Sequence, residues 1–167
     1  MPVGSRQRRA AAGATRDHVA YEGATALVWA SQEGGVGCMR LLLGAGADVD
    51  KVTNAGAAPI LNACVQGHLE CVKLRSSHGA SRKAHPPLLL FGTPEELAEE
   101  QDHDEIVEWL RETADWTPLH HLEQLTPERA RALLRGGADV RAGAPSPLER
   151  ARTVGGEASA LVLRAAR

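Results

Sequence analysis

The sequence predicts an all-α fold, built as a solenoid of about five irregular helix-turn-helix units. Segments of the 167-residue chain recur at an offset of 33 residues, and a fixed period of this length is typical of solenoids. Aromatic residues make up only 3% of the chain, which disfavours strands. Short apolar runs at helical spacing follow several Thr-Pro or Ser-Pro pairs, and such pairs are typical starts of helices.

The repeat is visible in two aligned segments. GATALVWASQEGGVGCMRLLLGAGAD occupies 23–48, and GAAPILNACVQGHLECVKLRSSHGAS occupies 56–81. Identical residues stand 33 positions apart in these segments, namely Gly34 and Gly67, Cys38 and Cys71, Leu41 and Leu74, and Gly46 and Gly79. From this register we expect a repeat domain over 21–167, after a basic tail or remnant of a preceding unit at 1–20. The expected units are approximately 21–53, 54–85, 86–114, 115–142 and 143–167.

Each unit is expected to hold two short helices. In TPLH, Thr117 suits the N-cap and Pro118 the first helical turn. TPEE at 93–96 and SPLE at 146–149 add a carboxylate at the third helical position, which predicts capping boxes. The first helix should end near a glycine such as Gly34, which can adopt the left-handed conformation. Second helices carry apolar residues at helical spacing, including Met39, Leu42, Leu43, Ile106, Val107, Leu110, Leu133 and Leu134.

Four motifs together resemble the ankyrin-repeat family: DWTPLHHL at 115–122, GHLECVKL at 67–74, LLLGAGADVD at 41–50 and LLRGGADV at 133–140. The resemblance implies stacked helix pairs, because a single pair cannot bury its apolar face alone. It also implies a non-enzymatic module that binds another protein through turn tips and the concave helix face. Carried over by register, the partner-binding positions are Tyr21, Glu22, Ala24, Gln32, Glu33, Val52, Asn54, Ala55, Ala57, Val65 and Gln66.

The residue types that could act in catalysis or bind a metal are interpreted here as structural residues. The resemblance implies that His120 hydrogen-bonds nearby loop groups. The helix register places Cys64 and Cys71 in the core of one unit, although they flank His68 in a spacing that a metal could use. The carboxylates between 95 and 112 are interpreted as a solvated helix surface. We therefore expect no catalytic residues, no metal and no cofactor.

Net charge, the length of apolar runs and cysteine spacing narrow the class of partner and the cellular compartment. The formal net charge is −2, which disfavours nucleic acid. There is no apolar stretch long enough to span a membrane, and the three cysteines lack CxxC spacing. We expect a monomer with reduced thiols in the cytoplasm or nucleus, while the arginine-rich N-terminus weakly resembles an organelle-targeting peptide.

Two alternatives to protein binding remain open. An arginine-rich stretch near the C-terminus could bind an anionic ligand or nucleic acid; its residues are Arg129, Arg131, Arg135, Arg150 and Arg152. The irregular repeats also fit a truncated or degenerate repeat protein with little activity.

The second unit departs from the pattern of its neighbours. Ala58 stands where a threonine cap is expected, and Arg75 and Ser76 stand where the preceding unit has Leu42 and Leu43. Losing two buried leucines removes burial worth about 1.5–3 kcal/mol each. We therefore expect the helix around 72–76 to be frayed or poorly packed.

Two apolar features have two interpretations each. Residues 86–91, PPLLLF, form either a partner-binding loop or a patch that packs over the gap left by Arg75 and Ser76; we favour the packing patch.

Trp29, on the first helix of its unit, is either core filler or a partly exposed side chain, and we favour core filler.

Overall fold

The computed structural model describes residues 25–54, 58–81 and 92–167. Within these ranges the chain forms nine α-helices, one 3₁₀ helix and no strand, which confirms the all-α prediction. The chain divides into two compact bodies, Met1–Glu112 and Thr113–Arg167. The expected tail at 1–20 and the 86–91 segment lie outside the described residues.

The N-terminal body contains three helix pairs in its described part. Each pair has a seven-residue first helix and a nine-residue second helix. The pairs are α1 (Ala26–Gln32) with α2 (Val36–Gly44), α3 (Pro59–Val65) with α4 (Leu69–Ser77), and α5 (Pro94–Glu100) with α6 (Asp104–Glu112). The first two pairs are 33 residues apart, and α5 begins 35 residues after α3.

These pairs stack in chain order. The first helices α1, α3 and α5 pack in sequence, and so do the second helices α2, α4 and α6. The layers share one core, which includes the fully buried side chains Leu27, Met39, Ile60, Leu74 and Ile106. The N-terminal body is therefore a solenoid in which each pair covers its neighbour.

The predicted caps are present where the sequence supplies them. The Thr25 hydroxyl accepts a hydrogen bond from the backbone N–H of Val28 at 3.3 Å. Thr93 and Glu96 form a complete capping box, with Thr93 N donating to Glu96 Oε2 at 2.7 Å. Ala58 begins α3 without a side-chain cap, as expected from its missing hydroxyl.

The prediction that α4 is frayed or poorly packed is wrong. The helix is continuous over Leu69–Ser77, and Arg75, Ser76 and Ser77 are all buried. Cys71, Val72 and Leu74 supply the apolar face, and the hydroxyl of Ser77 donates to the carbonyl of Leu74 at 2.6 Å. The helix thus packs through other residues, with a cation in its core.

The C-terminal body has a second core, centred on Leu119, Leu122 and Val162. Its elements are a 3₁₀ helix (Pro118–His120), α7 (Pro127–Arg135), α8 (Pro147–Thr153) and α9 (Glu157–Ala165). Helix α9 packs on both α7 and α8. Ser146 and Glu149 form the predicted capping box of α8.

The expected α-helix after Thr117 is replaced by the three-residue 3₁₀ helix. Pro127 opens α7 only seven residues after the 3₁₀ helix ends, and Thr126 before it has extended geometry (φ −74°, ψ 154°). A residue before proline is driven out of the helical region. The segment is therefore too short for a full first helix and a turn.

Candidate functional site

The predicted partner-binding positions lie at the ends of first helices and on a turn tip. Gln32 ends α1, and Glu33 is its C-cap; Val65 ends α3, and Gln66 is its C-cap. Gln32, Glu33 and Gln66 are exposed, and Val65 is half-buried. Because α1 and α3 pack against each other, the register places Gln32 beside Val65 and Glu33 beside Gln66 on one face. Tyr21, Glu22, Ala24, Ala55 and Ala57 lie outside the described residues.

A histidine from the following repeat holds each of these helix ends. The imidazole Nε2 of His68 bonds the carbonyl oxygen of Gln32 at 3.0 Å. His103 does the same for Val65 at 3.0 Å. The side chains of the face are therefore carried on backbone that is fixed by the next layer.

Each bridging histidine packs against a glycine in the turn of the preceding repeat. Gly34 and Gly67 have φ values of +65° and +73°, in the left-handed region that glycine tolerates. A Cβ on Gly34 would stand 2.9 Å from the His68 ring, and one on Gly67 would stand 2.7 Å from the His103 ring. The glycines therefore provide both the turn and the room for the bridging rings.

The face continues onto α5 at positions the sequence analysis did not name. With the two-residue insertion counted, Glu100 is equivalent to Val65, and Gln101 to Gln66. Both are exposed, and α5 packs beside α3. The signal was present in the sequence, since the TPEE cap fixes the start of α5.

Trp29 belongs to the same exposed surface. It lies three and four residues before Gln32 and Glu33, so the three side chains share one side of α1. The indole is 42% exposed. The favoured interpretation of Trp29 as core filler is therefore wrong, and its partly exposed alternative is the observed state.

The turn tip after α2 is tied to the next repeat. The Asp50 carboxylate accepts the backbone N–H of Ser81 through both oxygens, at 3.0 and 3.3 Å. Asp48 Oδ1 accepts the N–H of Asp50 at 3.0 Å. Beyond this link, Val52 is 36% exposed and Asn54 is exposed. The tip therefore presents an aliphatic and an amide side chain from a fixed base.

His120 takes part in the loop contacts that the resemblance implied. It is buried, and its Nδ1 accepts the backbone N–H of Thr117 at 2.8 Å. Burial lowers the pKa of His120, which favours the neutral ring that this bond requires. His120 thus helps to hold the turn at the start of the 3₁₀ helix.

Cys64 on α3 and Cys71 on α4 are buried in the core, as predicted, and neither forms a disulfide. Burial raises the pKa of Cys71 to about 11. A thiol with this pKa is protonated and a poor nucleophile at neutral pH. Over the described ranges no His, Cys, Asp and Glu side chains gather into a group that could hold a metal ion.

Several residues of the arginine-rich stretch make contacts within the C-terminal body. Arg150 lies over the Trp116 ring, 4.1 Å from its centroid, donates to the carbonyl oxygen of His120 at 2.8 Å and pairs with Glu123. Arg131 pairs with Glu128 at 3.8 Å. Part of this positive charge is therefore neutralised by the fold itself.

In the described part of the chain, no helix has the length and apolar character needed to cross a membrane.

Comparison with known proteins supports the family resemblance of the sequence motifs. A family model of ankyrin repeats, in three copies, matches residues 8–85. The crystal structure of the human ASB11 ankyrin repeat domain is similar to this chain, with a TM-score of 0.58 and 28% sequence identity. That match covers 98% of this chain and 82% of the other. No curated protein sequence matches the chain.

Proposed function

We propose that this chain, whose motifs and fold are similar to those of ankyrin-repeat proteins, binds a partner protein through the exposed side of its first helices and the adjacent turn tip. Ankyrin repeats generally serve as protein-binding surfaces, because stacked repeats form an extended face. The observation that carries the proposal is the row of exposed polar side chains at matching positions of α1, α3 and α5. Glu33, Gln66 and Gln101, the C-caps of these three helices, form this row.

The polarity, accessibility and rigid support of this row suit the binding of a partner protein. Its side chains are polar and accessible, while the backbone beneath them is fixed by His68 and His103. A rigid support reduces the conformational entropy that binding must overcome. Trp29 adds a large aromatic surface of the type that dominates binding energy in interfaces.

Affinity capture with the intact chain tests the proposal. In the test variant, Gln32, Asn54 and Gln66 are all changed to alanine. We expect the variant to lose a partner that the intact chain retains. The matched control changes Glu105, Glu108 and Glu112 to alanine, since these are exposed on the second helix α6.

Circular dichroism melts of all three proteins establish that the substitutions leave the fold intact. Retention of every partner by a folded test variant would contradict the proposal. Equal loss by the control would contradict it too, because it would assign binding to the second helices.

A further inference from the structure

The first helices in the described part of the N-terminal body carry no cationic side chain. The sequences of α1, α3 and α5 are ALVWASQ, PILNACV and PEELAEE, none of which contains lysine or arginine. We call their exposed side the first-helix face; it consists of Trp29, Gln32, Glu33, Gln66, Glu100 and Gln101. It combines carboxylates, amides and one indole.

The N-terminal body that carries this face is also net negative. The N-terminal body, Met1–Glu112, holds fifteen carboxylates and eleven cationic side chains, a formal net charge of −4, and five of these cations lie in the described ranges. Of the five cations, Arg75 is buried, Lys73 pairs with Glu70 at 2.9 Å, and Arg111 pairs with Glu95 at 2.7 Å. No cation from the described residues neutralises Glu33 or Glu100 on the face.

Trp29 and Glu33 form a pair of groups that suits a cation. They lie four residues apart on one side of the helix, so the indole and the carboxylate are neighbours. An indole ring attracts a guanidinium or ammonium over its face, and a carboxylate adds a charge-assisted hydrogen bond. Among the described residues, no side chain makes a ring or cation contact with Trp29.

We propose that the partner contributes a segment rich in arginine and lysine that runs across the first-helix face. One cation lies between Trp29 and Glu33, and another lies at Glu100. This inference rests on the proposed function and specifies the chemistry of its partner.

The spacing of the helices sets the length of this segment. Packed helices lie about 8–10 Å apart, so α1 and α5 are about 20 Å apart across α3. An extended peptide advances about 3.3 Å per residue. Two cations about six residues apart in the partner therefore reach both ends of the face.

Fluorescence anisotropy with a defined probe tests the inference. The probe is a labelled peptide of about 12 residues in which arginine alternates with serine, and its counterpart has glutamate for arginine. We expect the intact chain to bind the arginine peptide but not its counterpart, with affinity that falls as salt rises.

Charge reversal then locates the binding. We expect Glu33→Lys combined with Glu100→Lys to weaken binding at least about tenfold, and Trp29→Ala at least about threefold. The matched control, Glu105→Lys with Glu108→Lys, makes the same charge change on the exposed side of α6. We expect it to weaken binding less than about threefold, because screening limits charge effects beyond the contact surface.

Equal weakening by the two double variants would overturn the inference, since it would indicate attraction to net charge alone. Failure of the arginine peptide to bind would also overturn it. If a captured protein is lost from the Gln32, Asn54 and Gln66 variant while the arginine peptide does not bind, only this inference fails. If no protein is lost from that variant, the proposed function itself fails.

Discussion

Arg75 is a buried cation at a position where the preceding repeat has Leu42. Its side chain is fully buried, and its hydrogen bond to the Ser31 hydroxyl is long, at 3.4 Å. Its Nε and Nη2 atoms have no hydrogen-bond partner among the described residues. Burial lowers the pKa of Arg75 to about 10, against the opposing attraction of Asp50. The guanidinium therefore costs stability that the packing of its neighbours must offset.

We expect Arg75→Leu to raise the free energy of unfolding by about 1–3 kcal/mol, because it removes a poorly partnered buried charge. Urea denaturation measures the change. Arg75→Lys is the control, since it keeps the charge and should bring no gain. A lower denaturation midpoint for Arg75→Leu would show that the guanidinium is net stabilising in this core.

His120 makes the stability of the C-terminal body depend on pH. Burial lowers its pKa in the folded chain, whereas an unfolded histidine has a pKa of about 6.5. The unfolded chain therefore binds the proton more readily once the pH falls below about 6.5. The contribution of neutral His120 is intact above that pH and decreases below it.

We expect the free energy of unfolding to fall between about pH 7.5 and about pH 5, and to fall less in His120→Asn. Asparagine cannot titrate, and its Oδ1 can replace Nδ1 as the acceptor for the backbone N–H of Thr117. Denaturant unfolding at both pH values gives the comparison. An identical pH dependence in the two proteins would contradict this role of His120.

The turns between paired helices depend on glycines for two reasons at once. Gly67 has a positive φ, and its missing Cβ makes room for the His103 ring that holds Val65. Gly44, by contrast, ends α2 with no atom within 4 Å of the point that a Cβ would occupy. Alanine should therefore be poorly tolerated at Gly67 and well tolerated at Gly44.

We expect Gly67→Ala to lower the free energy of unfolding by about 1–3 kcal/mol, through backbone strain and displacement of His103. Gly44→Ala should be neutral or stabilising by about 0.5–1 kcal/mol, because alanine loses less entropy in a helix. Thermal melts of both variants provide the test. A Gly67 variant as stable as the Gly44 variant would show that this turn tolerates a side chain.

Helix positions were largely readable from the sequence because identical residues recur at a fixed offset. That offset locates α1 to α4, and the Thr93-Pro94 cap locates α5 after the two-residue shift. The 3₁₀ helix at Pro118–His120 was missed, because its cap motif predicts a longer helix that the approaching Pro127 does not allow. Local signals therefore predict where a helix starts better than how far it runs.

The environment of a repeated position was less predictable than its place in the helix. Leu41 and Leu74 are equivalent by register, yet Leu41 is 48% exposed and Leu74 only 1% exposed. The α1–α2 pair covers Leu74, and no described pair covers Leu41. The sequence thus predicts the position of each residue in its helix by register, whereas the arrangement of the layers determines which apolar side chains are exposed.

The charge of the N-terminal body should make the stability of the chain depend on salt. Met1–Glu112 carries a formal net charge of −4, and like charges destabilise a compact state. The exposed ion pairs, such as Arg111 with Glu99 at 3.5 Å, are worth little by comparison. Screening should therefore remove more repulsion than attraction.

We expect the melting temperature to rise by a few degrees between about 20 mM and about 500 mM sodium chloride. Chloride is preferred to sulfate, because sulfate strengthens apolar burial by a separate effect. The control changes Glu105, Glu108 and Glu112 on α6 to glutamine, which removes three charges without shortening a side chain. It should melt higher at low salt and gain less from added salt. An equal gain in both proteins, or a fall in melting temperature, would show that repulsion among these carboxylates does not limit the stability of the chain.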